Sequence, residues 1–162
     1  MAILNFTLSP EAFGKLHDAL VCLGKFSEAV CIEAIHDKLV LTALNSSKSA
    51  YASFTLIGNK FFSKYQFKGL NGIANREKFN CKIYNKVKFT TLQHLSSLHY
   101  LIHLQALLSV FRGRVVDPTR EKDTAVERCD VSVEDGEGQI KSRFIIKIMC
   151  RHGMIQRSSR VF

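Results

Sequence analysis

Between residues 29 and 44 every second residue is apolar. Val30, Ile32 and Ala34 come before the polar trio His36-Asp37-Lys38, and Leu39, Leu41 and Ala43 come after it. Successive side chains of a strand point to opposite faces, so this period gives both halves one buried face and predicts a β-hairpin turning at the trio. The residues ahead of it obey a different period. Ser9-Pro10-Glu11 offers an N-cap hydroxyl, a proline at the first helical position and an acid in the first turn. Phe13, Leu16, Leu20 and Leu23 then fall at helical spacing, with Ala12 and Ala19 beside them. A helix to about Leu23 is expected, with Lys15 on its solvent-facing side and Gly24 ending it.

The same two periods organise the rest. Residues 3–8 read as a strand before the helix, and 49–57 as a strand in which Tyr51, Ser53 and Thr55 alternate with Ala52, Phe54 and Leu56. Asn45, Ser46, Ser47, Lys48 and Ser49 therefore lie between two strands, where Asn and Ser side chains can bond nearby backbone and hold a tight connection. A Gly/Asn-rich stretch at 68–75 leads to a strand at 79–84. Residues 107–112 suggest a short helix burying Leu107, Leu108 and Phe111 and exposing Arg112. Strands at 127–133, 139–150 and 154–162 close the chain, turning at Asp135-Gly136 and His152-Gly153. The order is β-α-β-β-β twice over, an α+β pattern that repeats in topology without a residue-level repeat.

Composition narrows the partners. The chain has 162 residues, is 46% hydrophobic and 23% charged and has two prolines, which fits one globular domain. Such a length buries roughly two-thirds of the unfolded surface, enough for a core without disulfide staples. Cys22, Cys31, Cys81, Cys129 and Cys150 are odd in number, scattered and free of any C-x-x-C pair, which fits thiols in a reducing compartment. The N-terminus shows no basic segment followed by a long apolar run, and no uninterrupted apolar stretch is long enough to span a membrane. A net charge of +9 favours polyanionic partners such as nucleic acid.

Catalytic patterns are weak. A nucleophile at Ser46, Ser47 or Ser49 with Lys48 as base lacks the Gly-x-Ser-x-Gly elbow and the S-x-x-K spacing. The stretch also lacks the glycines of a phosphate-binding loop. On a helix His99 and His103 would share a face with His94 approaching, but no acid or Cys is near to complete a zinc site. Glu134, Asp135 and Glu137 fall in an expected turn, where acids are solvated. No enzyme activity, cofactor or metal is expected. A generic basic nucleic-acid module would show exposed aromatics for stacking on bases, and only Phe61, Phe62 and Tyr65 fit that description. This module, or a hydrolase using the Ser and His residues, is the alternative reading.

The stretches FTLSPEAFGKLHDALVCLGKF, IHDKLVLTALNSSKSAYASF, FFSKYQF, CKIYNK, ALLSVFR and VERCDVSV together resemble the N-terminal domain of the Rad-nine-type subunit of the DNA-damage checkpoint clamp. This clamp is the heterotrimeric nine-one-one complex, related to the PCNA sliding clamp. The likeness runs through most of residues 6–153, and LNSSKSAYASF is its most specific part. It implies a sliding-clamp domain with antiparallel sheets outside and two helices on the inner wall of a ring. Lys15 on the first helix matches a DNA-facing position, and Arg112 on the second helix, with Arg114 after it, is the corresponding candidate there. Asn45, Ser46, Ser47 and Lys48 match a loop bordering the front-face pocket where partner peptides dock. The implied partners are two other clamp-type subunits, a clamp loader, duplex DNA and checkpoint and repair proteins. The implied location is the nucleus.

Two departures from the family pattern stand out. A whole subunit has a second clamp domain, a connector and a phosphorylated tail, so residues 1–162 are expected to be a single domain from a fragment or truncated product. Residues 87–105, VKFTTLQHLSSLHYLIHLQ, interrupt the family pattern and hold half of the six histidines and one charge, Lys88. Val codons begin with GT and Gln can be encoded CAG, so a translated intron is the expectation here. If the segment is authentic protein, an added helix over 91–104 is expected.

Overall fold

The computed structural model describes residues 2–68, 78–84, 101–103, 126–134, 143–150 and 155–161. The chain begins with strand β1, Ala2–Leu8, and helix α1, Pro10–Phe26. Ser9 caps the helix as its sequence demands, its Oγ accepting the Ala12 N–H at 3.2 Å. The far end differs from expectation. Gly24 lies inside the helix, which continues through Phe26 until the Ser27 N–H closes on the Leu23 carbonyl at 3.0 Å. Phe26 packs against the core, and that contact carries the helix past a residue that would otherwise end it.

The hairpin forms as β2, Ala29–Ile35, and β3, Lys38–Leu44, with Val30 opposite Ala43, Ile32 opposite Leu41 and Ala34 opposite Leu39. Strand β4, Tyr51–Ile57, pairs antiparallel with β3. A one-turn helix α2, Gly58–Phe61, and a short strand β5, Lys64–Phe67, follow; neither was anticipated. Strand β6, Lys78–Tyr84, pairs with β2. Strand β7, Leu101–His103, pairs parallel with β6. These three residues are therefore strand where the inserted segment was expected to be helix. The chain closes with β8, Val126–Glu134, β9, Arg143–Cys150, and β10, Ile155–Val161. The expected helix over 107–112, the turns at 135–136 and 152–153, and Arg112 and Arg114 lie outside the described residues.

Two five-stranded sheets result, in the orders β10-β9-β8-β1-β5 and β4-β3-β2-β6-β7. Every pairing described is antiparallel except β6 with β7. The inward rows of both sheets and the helix stripe form one continuous core. All six apolar helix positions named from the sequence are buried, and α1 packs on β2 and β3 of one sheet and on β1 and β8 of the other. Extra joints tie the sheets together. The Tyr65 hydroxyl on β5 donates towards the Ile35 and Lys38 carbonyls of the β2–β3 turn, at 2.7 and 2.8 Å, so one proton serves two acceptors. Phe62 is buried with its ring 4.9 Å from Phe6 and 5.2 Å from Tyr65, centre to centre. The Phe61-Phe62-Tyr65 cluster is thus packing material and offers no stacking platform for bases.

Candidate nucleic-acid interface and partner surfaces

Helix α1 presents one exposed stripe, Glu11, Lys15, Asp18, Cys22 and Lys25, at alternating four- and three-residue steps. Lys15 is on the solvent side, as expected. Lys25 shares the stripe, about 15 Å further along at 1.5 Å per residue. Reading Gly24 as the stop hid Lys25; Phe26 and Ser27, the next apolar residue and cap, were the available signal. The stripe is nearly balanced in charge, because Glu11 stands one turn before Lys15 and Asp18 three residues after it. The basic surplus of the chain is therefore not concentrated on this helix. Of the three DNA-facing candidates only Lys15 lies among the described residues, and Arg112 and Arg114 lie outside them.

The Asn45–Ser49 connection is built by its own side chains. The Asn45 Oδ1 accepts the Ser49 and Ala50 N–H groups at 2.9 and 3.1 Å, and its Nδ2 donates to the Ser49 Oγ at 3.1 Å. The Ser47 and Ser49 hydroxyls bond each other at 2.8 Å, and the Lys48 N–H donates to the Asn45 carbonyl at 3.0 Å. Lys48 takes a φ of 56°, the left-handed region that turns the chain sharply. These hydroxyls are occupied in holding a turn, which is poor placement for a nucleophile. Ser46, Ser47 and Lys48 are all exposed.

Beside this loop lies an apolar surface. Leu44 and Tyr51, opposite each other across β3 and β4, are 45% and 66% exposed. Phe54 and Ile57 further along β4 are also exposed. Phe54 sits opposite buried Leu41, on the inward face, yet stays open because β4 ends its sheet and overhangs the core. The strand YASFTLI has no charge and no proline, so its outer edge carries none of the usual safeguards against pairing with another strand.

Thiol chemistry finds no footing in the core. Burial pushes the Cys81 and Cys129 thiols up to about 12, with nearby Cys31 and Asp130 adding to the effect respectively. Burial also raises Cys31, against the opposing pull of Lys82. Such thiols stay protonated near neutrality and behave as small apolar residues. No disulfide joins the five cysteines. Among the described residues no group of three or more His, Cys, Asp or Glu is placed to hold a metal, and no helix is long and apolar enough to cross a membrane. His94 and His99 lie outside the described residues, and His103 is in β7.

A family model described as Rad9 matches residues 16–161. The chain belongs to the Rad9 family. It is 26% identical over 170 aligned positions to the DNA repair protein rad9 of Schizosaccharomyces pombe, covering 94% of this chain and 35% of that protein. It is 24% identical to the protein of the same name from Schizosaccharomyces octosporus, with the same coverage. The chain thus spans about a third of the length of these Rad9 relatives. The crystal structure of PCNA from Thermococcus kodakaraensis superposes with a TM-score of 0.52, covering 99% of this chain and 45% of that one at 11% identity. At that identity the likeness concerns the fold, which is the sliding-clamp domain expected from the sequence.

Proposed function

We propose that this chain is one domain of a ring-shaped DNA-damage checkpoint clamp, a non-enzymatic platform that encircles duplex DNA and holds signalling and repair proteins beside it. The observation that carries the reading is the coincidence of a Rad9-family match with a PCNA-like fold over nearly the whole chain. Retention is topological: a closed ring stays because it surrounds the duplex, and charge only orients it. Lys15, with Lys25, Arg112 and Arg114, would meet phosphates without reading bases. The balanced stripe of α1 suits this role, since a ring that slides gains nothing from holding one position tightly. Two other clamp-type subunits would complete the ring, a loader would open it, and the nucleus is its place of action. The uncharged edge of β4 is where a neighbouring sheet would continue, and Leu44, Tyr51 and the loop Asn45, Ser46, Ser47 and Lys48 form one side of a peptide-docking surface. Residues 1–162 are taken as one clamp domain, with residues 87–105 an addition encoded by a retained intron.

The test is a salt series with duplex and single-stranded oligonucleotides. The isolated chain should bind duplex weakly, without sequence preference, with affinity falling steeply as salt rises and lost at physiological ionic strength. Lys15→Glu with Lys25→Glu should weaken the low-salt signal and reduce its salt dependence. Tight, salt-resistant binding of single strands would instead favour the generic nucleic-acid module.

A further inference from the structure

The outer face of the first sheet, opposite α1, has a shape that the clamp reading does not use. Short outward residues, Asn5 and Thr7 on β1 and Ser132 on β8, lie between one lysine on each flanking strand, Lys64 on β5 and Lys147 on β9, with Arg128, Asp130 and Glu134 of β8 completing the lining. The result is a polar trough of about 430 Å³ running along the strands. One cross-strand row defines its middle: Lys64 is opposite Thr7, Thr7 opposite Asp130, and Asp130 opposite Lys147. Lys64 and Lys147 therefore stand three strand spacings apart, about 14 Å, which admits one extended chain and its side chains.

The floor is organised. Asp130 accepts the Thr7 hydroxyl at 2.7 Å through one carboxylate oxygen and the Arg128 Nε–H at 3.1 Å through the other. The Arg128 Nη2 reaches the Met149 sulfur at 2.8 Å, so the guanidinium is held at two of its three nitrogens.

We propose that this trough docks an extended acidic peptide segment of a partner protein, with its carboxylates or phosphates against Lys64, Lys147 and Arg128. Alternate residues of an extended chain repeat about every 6.6 Å, the step from the Lys64–Lys147 row to Arg128 two residues along β8, so two acids two positions apart meet these basic groups in register. Peptide is favoured over nucleic acid by the lining itself. Asp130 is already engaged by Thr7 and Arg128, but Glu134 lies two rows from the lysines, where a backbone with a charge on every unit would meet it and a peptide can set a neutral residue. Among the described residues no aromatic side chain lines it for stacking on bases.

The test is fluorescence anisotropy with a dye-labelled peptide of about ten residues, Ser and Gly around a central Glu-Ser-Glu, against the whole chain, with a single-stranded oligonucleotide carrying the same dye in parallel. The wild type should bind the peptide saturably. Lys64→Glu with Lys147→Glu should weaken it roughly tenfold or more. Lys60→Glu with Lys82→Glu, an equal change of net charge at exposed positions elsewhere, should leave it within about twofold of wild type. If circular dichroism shows the first pair to be misfolded, Lys64→Gln with Lys147→Gln replaces it, and roughly a threefold loss is expected. The proposal is overturned if both charge-reversal pairs lose affinity equally, if neither trough pair loses any, if no saturable peptide binding occurs, or if the trough substitutions abolish oligonucleotide binding while the peptide fails to bind.

Discussion

Two glycines with opposite surroundings show how far single positions decide this fold. A Cβ on Gly14, within α1, meets nothing within 4 Å, so Gly14→Ala should stabilise by about 0.5–1 kcal/mol by removing the helix penalty of glycine. A Cβ on Gly58 would come to 2.8 Å from the Asp37 carbonyl oxygen and 3.1 Å from the Tyr65 ring. That oxygen cannot retreat freely, because it already accepts the Gly58 N–H at 2.7 Å. Gly58→Ala should therefore cost about 1–3 kcal/mol, by separating α2 and β5 from the β2–β3 turn. Urea denaturation of the two variants checks both signs. Tyr65 belongs to the same joint. Burial, and to a lesser degree the Asp37 charge, push its phenol up to about 12 against the Ile35 carbonyl bond. A phenol or thiol with a raised folded pKa contributes stability below its unfolded value, lost as pH climbs to the folded one. The window is pH 10 to about 12 for Tyr65 and pH 9 to about 12 for Cys81 and Cys129. Stability should be level up to about pH 9 and then fall. Tyr65→Phe should cost about 1–2 kcal/mol at pH 7 and flatten the fall between pH 10 and 12.

At the scale of elements, the legible parts were those whose signal is local. Ser9, Pro10 and the six apolar positions specify where α1 starts and which side it buries, and the alternation from Val30 to Ala43 specifies the hairpin and its register. What escaped depends on distant partners. β7 is three residues long and exists through its pairing with β6, so nothing in Leu-Ile-His announces a strand. β5 hides in a run of aromatics because only Tyr65 and Phe67 turn inward, and their partners are on β1, some sixty residues earlier by sequence number. Gly24 misled because packing of Phe26 outweighed local preference. In the candidate site, the Asn45–Ser49 turn was readable from its side chains, whereas Lys25, the trough and the open β4 edge needed the assembled sheets. That edge has a consequence of its own. The isolated chain should self-associate through β4 as concentration rises, and Thr55→Lys, at an exposed position of the edge strand, should shift sedimentation towards monomer without lowering thermal stability.

At the scale of the whole molecule, two sheets share one core, α1 lies on one side of the first sheet and a basic trough on the other, and the second sheet ends in an apolar edge. Under the proposed function a domain so arranged would separate its duties: the helix side would face duplex, the outer face would be left for acidic partners, and the β4 edge would continue into a neighbouring sheet. Residues 87–105, proposed to be an addition, bear on one point of this plan, since residues 101–103 extend the second sheet at the edge opposite β4. Sequencing the mature transcript decides whether those codons are a retained intron. Encircling DNA, as proposed, would require assembly with other clamp-type subunits. The direct measurement is co-expression of this chain with the two other clamp-type subunits of the same organism, followed by affinity capture and size exclusion. A stoichiometric complex with at least one of them is predicted; recovery of the folded chain alone, with neither subunit bound, would contradict it.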